Sequence, residues 1–226
     1  MSLIAKEGGG KSSFTPVPPG MHLARCYRVV DLGTQKSEYL GQIKHLQKVM
    51  IQFEVHGDDD RGMPLVTDKN EPMTISKNYT LSLGEKATLR KDLQNWRGRD
   101  FTAEELRGFG LKNILGAWAM ISVAKSIGNN GKEYTNIMSV NPVPAAIKKA
   151  GMPEAHNKSA MFAIENPDME LFDTFSNGLK DKIKASPEWQ AREGNDYARG
   201  EQQSGADRQA RQGSGFDDMD DDIPFN

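Results

Sequence analysis

Aromatic and basic side chains interleave through the middle of the chain. Tyr39 is flanked by Lys36, Lys44, His45 and Lys48; Lys77 and Tyr79 alternate in one strand-like run; Arg90, Lys91, Arg97 and Arg99 surround Trp96. Further on, Trp118 is followed by Lys125, and Lys132 by Tyr134. Rings on which bases can stack, set among cations that can meet phosphates, are what single-stranded nucleic acid requires of a protein surface. Stacking contributes about 1–3 kcal/mol per base and accepts any sequence, because every base has a π-face. The candidate residues for binding single-stranded nucleic acid are therefore Tyr39, Lys44, Lys48, Lys77, Tyr79, Arg97, Trp118, Lys125, Lys132 and Tyr134. Each has a plainer structural reading. Trp118 can equally pack beneath C-terminal helices, Trp96 sits at helical spacing with Leu89 and Leu93 as a core residue would, and surface lysines are often only solvated.

Enzymatic chemistry is not prepared with comparable density. No Ser/His/Asp spacing, His-x-Glu or Cys-x-x-Cys element occurs, and His22, His45, His56 and His156 are isolated from one another. Gly8-Gly9-Gly10-Lys11-Ser12 suggests a phosphate loop, but that motif needs a glycine where Ala5 stands and a strand before it. Asp58-Asp59-Asp60 lacks ligands at alternating positions and reads as a solvated turn rather than a cation site. The single cysteine, Cys26, excludes an internal disulfide. The expectation is a non-enzyme with no cofactor and no metal.

The elements that must position the aromatic and basic residues are mostly strands. Met21–Val30 is rich in β-formers between Gly20 and Gly33, and Val49, Ile51, Phe53 and Val55 alternate with Lys48, Met50, Gln52 and Glu54 in the period-2 pattern of a half-buried strand. Met73–Leu81 is a third strand. Helical spacing then appears over Glu85–Arg97, and Thr102-Ala103-Glu104-Glu105 has the form of a capping box. Ala117–Lys125 and Lys132–Val140 form a hairpin across Gly128-Asn129-Asn130-Gly131. This order predicts a mainly β fold: a five-stranded OB-fold barrel with a helical insert between strands three and four. After Asn141-Pro142-Val143-Pro144, the stripe Leu171, Phe172, Phe175, Leu179 and Ile183 predicts a helical extension that packs on the barrel.

The 226 residues carry 29 Lys+Arg against 31 Asp+Glu, and this near balance hides an asymmetry. Residues 190–226 hold four basic and nine acidic side chains, a net −5, which leaves residues 1–189 at +3. Hydrophobic content is 37% and mean hydropathy −0.64, low for a chain folded along its whole length. Residues 191–215, rich in Gly, Gln, Ser and Arg, cannot bury enough apolar surface to offset chain entropy and read as disordered. No apolar run approaches the roughly 18 residues of a membrane span, and the charged start Met1–Glu7 does not read as a signal peptide.

The end of the tail breaks this composition. Asp220-Asp221-Asp222-Ile223-Pro224-Phe225 places acids directly before an apolar cluster, and it resembles the C-terminal tip of bacterial single-stranded DNA-binding proteins. The body more closely resembles the OB-fold single-stranded DNA-binding proteins of bacteriophages. That likeness rests on Leu115-Gly116, on Gly131-Lys132-Glu133-Tyr134-Thr135-Asn136-Ile137 and on Ile183-Lys184-Ala185-Ser186-Pro187-Glu188. The resemblance implies that the tip docks on genome-maintenance enzymes: Phe225 enters an apolar pocket, Pro224 limits chain freedom and the Asp run is steered to a basic rim. Asn226 departs from the family pattern by following the aromatic residue. The acidic tail can also compete with DNA for the basic body.

Together these readings predict a flexible arm (1–19), an OB-fold single-stranded DNA-binding domain (20–144), a helical extension (145–189), a disordered linker (190–216) and a partner-binding tip (217–226). The expected function is to coat single-stranded DNA in replication, recombination or repair, without sequence preference, in the cytoplasm (that of the bacterial host if phage-encoded). Polymerase, helicase, primase or nuclease partners would be recruited through Asp220, Asp221, Asp222, Ile223, Pro224 and Phe225. No membrane partner is expected, and a homo-oligomer is compatible. The rivals are a strand-annealing recombination protein and a protein-binding scaffold that acts mainly through the tip.

Overall fold

A computed structural model describes residues 15–39, 42–128, 131 and 133–193. The protein is mainly β. Five strands, β1 (Gly20–Tyr39), β2 (Gln42–His56), β3 (Thr74–Thr80), β4 (Trp118–Ile127) and β5 (Glu133–Asn141), form an antiparallel path in the order β3-β2-β1-β4-β5. A short β6 (Ala160–Phe162) pairs parallel to β1 at Arg28–Val30. Among the described residues no ladder joins β3 to β5, the two ends of the path. They approach through Lys77, whose Nζ donates to the Met138 carbonyl at 3.3 Å.

The period-2 residues of β2 face inward as their pattern requires. Val49, Ile51, Phe53 and Val55 pack with Ala119, Ile121 and Val123 of β4 and Ile137 and Val140 of β5. Helix α1 (Thr88–Arg97) closes one end of this core with Leu89, Leu93 and Trp96. The Trp96 ring lies 5.6 Å from Phe53 and its Nε1 donates to the Trp118 carbonyl at 2.8 Å. The short α2 (Ala103–Arg107) begins with the expected reciprocal capping box between Thr102 and Glu105.

Four differences separate the structure from the sequence reading. Gly33, read as a strand terminator, sits instead inside β1 at a bulge with φ +66°, and the strand continues to Tyr39. Lys36, Lys44 and His45, expected in a loop, therefore stand on a two-stranded ribbon in which Lys36 pairs with His45 and Ser37 with Lys44. Val17, assigned to a flexible arm, is buried in the main core. Finally, residues 160–162 form a strand where only helix was expected; its three residues are held by pairing to β1 rather than by any local preference.

A second core lies on the opposite side of β1 and β2. Val30, Leu32 and Met50 project away from the first core and meet Phe162, Ile164, Phe172, Phe175, Ile183 and Trp189. The last six come from β6, α4 (Met169–Asp173), α5 (Asn177–Lys184), a helical stretch over 187–193 and, for Ile164 and Phe175, the segments that join them. Phe172 stacks on Trp189 at 4.7 Å between ring centroids. Gly33 is the close-approach point: a Cβ there would lie 2.5 Å from Ser186 Cβ and 2.9 Å from Glu188 Oε2. Glu188 in turn accepts hydrogen bonds from Thr34 N at 2.9 Å and Thr34 Oγ1 at 2.5 Å. Gly33→Ala combines a left-handed backbone with this collision, so it is expected to lower stability by about 2–3 kcal/mol, read as a reduced urea midpoint. An unchanged midpoint would show that residues 186–188 yield freely.

Candidate nucleic-acid interface

Strands β2 and β3 and the segment leading into α1 enclose an open groove of about 1150 Å³. Lys44, Leu46 and Lys48 line it from β2, Lys77, Asn78, Tyr79 and Thr80 from β3, and Ser82, Glu85 and Lys86 from the segment that follows. Alternation along β2 puts Lys44, Leu46 and Lys48 on one side. Lys48 Nζ donates to Thr80 Oγ1 at 2.8 Å, which sets its ammonium beside the neighbouring strand. Lys44 and Lys86 are exposed. Four of the predicted residues (Lys44, Lys48, Lys77 and Tyr79) thus come together in one place.

Two of those four do not present themselves as expected. Ile75, Lys77 and Tyr79 pair with Phe53, Ile51 and Val49, all inward-facing, so Tyr79 points into the core and not outward as a stacking platform. It is 3% exposed, and its hydroxyl donates to Asp92 Oδ2 at 2.8 Å. Burial, reinforced by the Asp92 carboxylate, pushes its phenol far above the ordinary range. Lys77 Nζ meets the same Asp92 oxygen at 2.7 Å, which neutralises most of its pull on a distant phosphate. The outward side of β3 is polar instead: Thr74, Ser76, Asn78 and Thr80.

Beyond Asn78 this outward side leads into a cavity of about 590 Å³, lined by Pro16, Val17, Gln52, Thr74, Ile75, Ser76, Glu133, Tyr134 and Thr135. Tyr134 is 46% exposed. Lys125 stands on the same β4–β5 hairpin and pairs with Glu133 at 3.0 Å, both side chains largely solvated.

Arg97 and Trp118 belong to neither lining. The Arg97 guanidinium lies over Phe101 at 4.5 Å and Phe109 at 4.9 Å, and is paired with Glu105, so it holds α1 to α2 rather than facing a strand of DNA. Arg99's hydrogen bond, ahead of several others, brings the Glu105 carboxyl down to about 2. Trp118 is partly buried with its ring 4.9 Å from His56. It is absent from the apolar cluster beneath the C-terminal helices. His56 Nε2 and Arg25 Nη1 both lie against Glu54 Oε1, at 3.2 and 3.1 Å, so Trp118 flanks a buried charge cluster. Cys26 is buried, which pushes its thiol up to about 12 and leaves it unreactive. The Tyr39 side chain, Lys132, the linker from 194 onward and the tip (Asp220, Asp221, Asp222, Ile223, Pro224 and Phe225) lie outside the described residues.

Lys86, Asn78, Gln52, Thr74 and Ser76 also line these two features, and residue type alone does not mark them. The signal that marks the β3 residues is parity: once Ile75 is inside, 74, 76, 78 and 80 are outside. Among the described residues no helix is long and apolar enough to cross a membrane. Compared with models of protein families and with curated proteins, the chain matches none.

Proposed function

We propose that the protein binds single-stranded DNA without strong sequence preference, coats it during replication, recombination or repair, and recruits partner enzymes through its acidic C-terminal tip. The observation that carries this reading is the groove beside β3, where Lys44, Lys48 and Lys86 gather around a polar strand face. Phosphates would follow the lysines while bases turn toward the strand face. The strand path β3-β2-β1-β4-β5, with a helix between β3 and β4 closing one end of the core, is compatible with an OB-fold barrel, the scaffold on which such grooves are common. The resemblance to phage-encoded single-stranded DNA-binding proteins points the same way, and on this reading the chain is not an enzyme.

The test is fluorescence anisotropy with a labelled oligo-dT and a matched duplex, at salt from about 50 to about 200 mM. The single strand is expected to bind and to weaken steeply with salt as counterions are released, while the duplex binds far less. Equal binding of the duplex would overturn the proposal. Binding of neither would leave the tip-driven scaffold as the better reading.

A further inference from the structure

We propose that the cavity between β2, β3 and β5 holds one unstacked nucleobase of the bound strand, with Tyr134 as the ring it stacks on and the Gln52 amide as the group that reads its edge. The inference rests on the single-stranded DNA reading above and assigns base contact within it. The cavity, about 590 Å³, falls in the range of about 300–1,000 Å³ typical of small-ligand sites. Its walls suit a flat, partly polar ring: Val17 and Ile75 are apolar, Thr74 and Ser76 bring hydroxyls, and the exposed Tyr134 stands among them.

Gln52 carries the argument. It lines the cavity, and its Oε1 is buried with no hydrogen-bond partner. A buried amide oxygen left unpaired is costly, and native structures rarely retain one without a reason. A base edge offers donors and acceptors side by side, so either orientation of the amide finds a partner there. Arg28, opposite Gln52 in the β1–β2 register, has a buried Nε that is also unpartnered. Its guanidinium is held between the Tyr27 ring at 5.3 Å and the Phe175 ring at 5.4 Å.

Charge separates this cavity from the groove. No lysine or arginine lines it, and its one charged wall residue, Glu133, is already paired with Lys125, so the cavity offers a phosphate no cation while accommodating a neutral base. The outward residues of β3 join the two: Asn78 and Thr80 line the groove, Thr74 and Ser76 the cavity. A strand with its phosphates among Lys44, Lys48 and Lys86 would pass along β3 and deliver a base to Gln52.

The experiment uses the full chain with two labelled probes of equal length, oligo-dT and a wholly abasic oligonucleotide. The wild type is expected to prefer oligo-dT. Tyr134→Ala should weaken oligo-dT binding about 10-fold and leave the abasic probe unchanged, while Tyr134→Phe keeps the wild-type preference. Gln52→Leu should change the order of affinity among dT, dC and dA homopolymers, with thermal melts confirming that each variant is folded. Equal wild-type affinity for the two probes, or a Tyr134→Ala loss shared by both, would overturn base insertion. An unaltered homopolymer order in Gln52→Leu would overturn edge reading. If the wild type binds neither probe, the single-stranded DNA reading itself fails and the cavity proposal falls with it.

Discussion

Glu54→Ala is expected to lower stability by about 3–5 kcal/mol, the usual consequence of stripping one partner from a buried ion pair. Glu54 is 0% exposed although it lies on the side of β2 away from the first core. Its Oε2 accepts from Asn157 N and Nδ2, both at 2.7 Å, and its Oε1 from Arg25 Nη1 at 3.1 Å. Arg25 extends the link by donating to the Asn157 carbonyl at 3.0 Å and to Ser159 Oγ at 2.7 Å. One carboxylate therefore ties the segment between α3 (Ala145–Ala150) and β6 to the sheet. Removing it leaves Arg25 buried without a counter-charge and Asn157 with two unanswered donors. The reduced urea midpoint should be accompanied by faster proteolysis near 151–159. A variant as stable as the wild type would show that solvent replaces the carboxylate at little cost.

The same group gives a pH signature. Burial alone would raise the Glu54 carboxyl, but the Asn157 backbone and side-chain bonds, then His56 and Arg25, outweigh it and hold it below the ordinary 4.5. A depressed folded value means that the stabilisation is complete above the unfolded value and is lost as pH falls through the folded one. The gap between wild type and Glu54→Ala should thus be constant near neutrality and narrow progressively below pH 4.5. A gap that widens on acidification would contradict the sign of this linkage.

Such a residue shows why the sequence is readable only in part. Position 54 falls in the polar phase of an alternating strand, so periodicity assigns it to solvent, and it is the distant Asn157 that buries it. The inward phase is plain from Val49, Ile51, Phe53 and Val55 because those four need nothing beyond their own alternation to find the core. Leu89, Leu93 and Trp96, and the Thr102–Glu105 capping box, are legible for the same local reason. Met50 sits on the outward phase yet is buried, because a second core covers that side of the sheet. No single-strand pattern reveals a sheet packed on both faces.

The candidate interface divides along the same line. Lys44 and Lys48 are legible because they share one side of a strand. For Tyr79 and Lys77 register overrides residue type: a tyrosine at an inward position becomes a core residue once Asp92 answers its hydroxyl. Gln52 carries no signal by type; it matters through where Ser76 and β5 stand around it.

Register also decides which lysines to remove in a test of DNA binding. Lys77 is a poor choice, since its loss would leave Asp92 without its 2.7 Å cation and disturb the packing of α1. Lys44, Lys48 and Lys86 are the cations whose loss leaves no buried carboxylate behind. Each phosphate neutralised on a single strand contributes about 0.7 to the slope of log affinity against log salt, so the triple alanine variant should flatten that slope by about 2. If the remaining contacts are unchanged, the same relation gives about 5-fold per lysine, or about 100-fold for the three, at about 0.1 M salt. Replacing Lys148 and Lys149, exposed at the end of α3, removes positive charge elsewhere and serves as the control. The body's net charge is only +3, so any strong salt dependence has to come from local clustering rather than the overall field. A triple variant that retains the wild-type slope while still binding would place the phosphate path away from β3, and the groove would lose its claim to the strand.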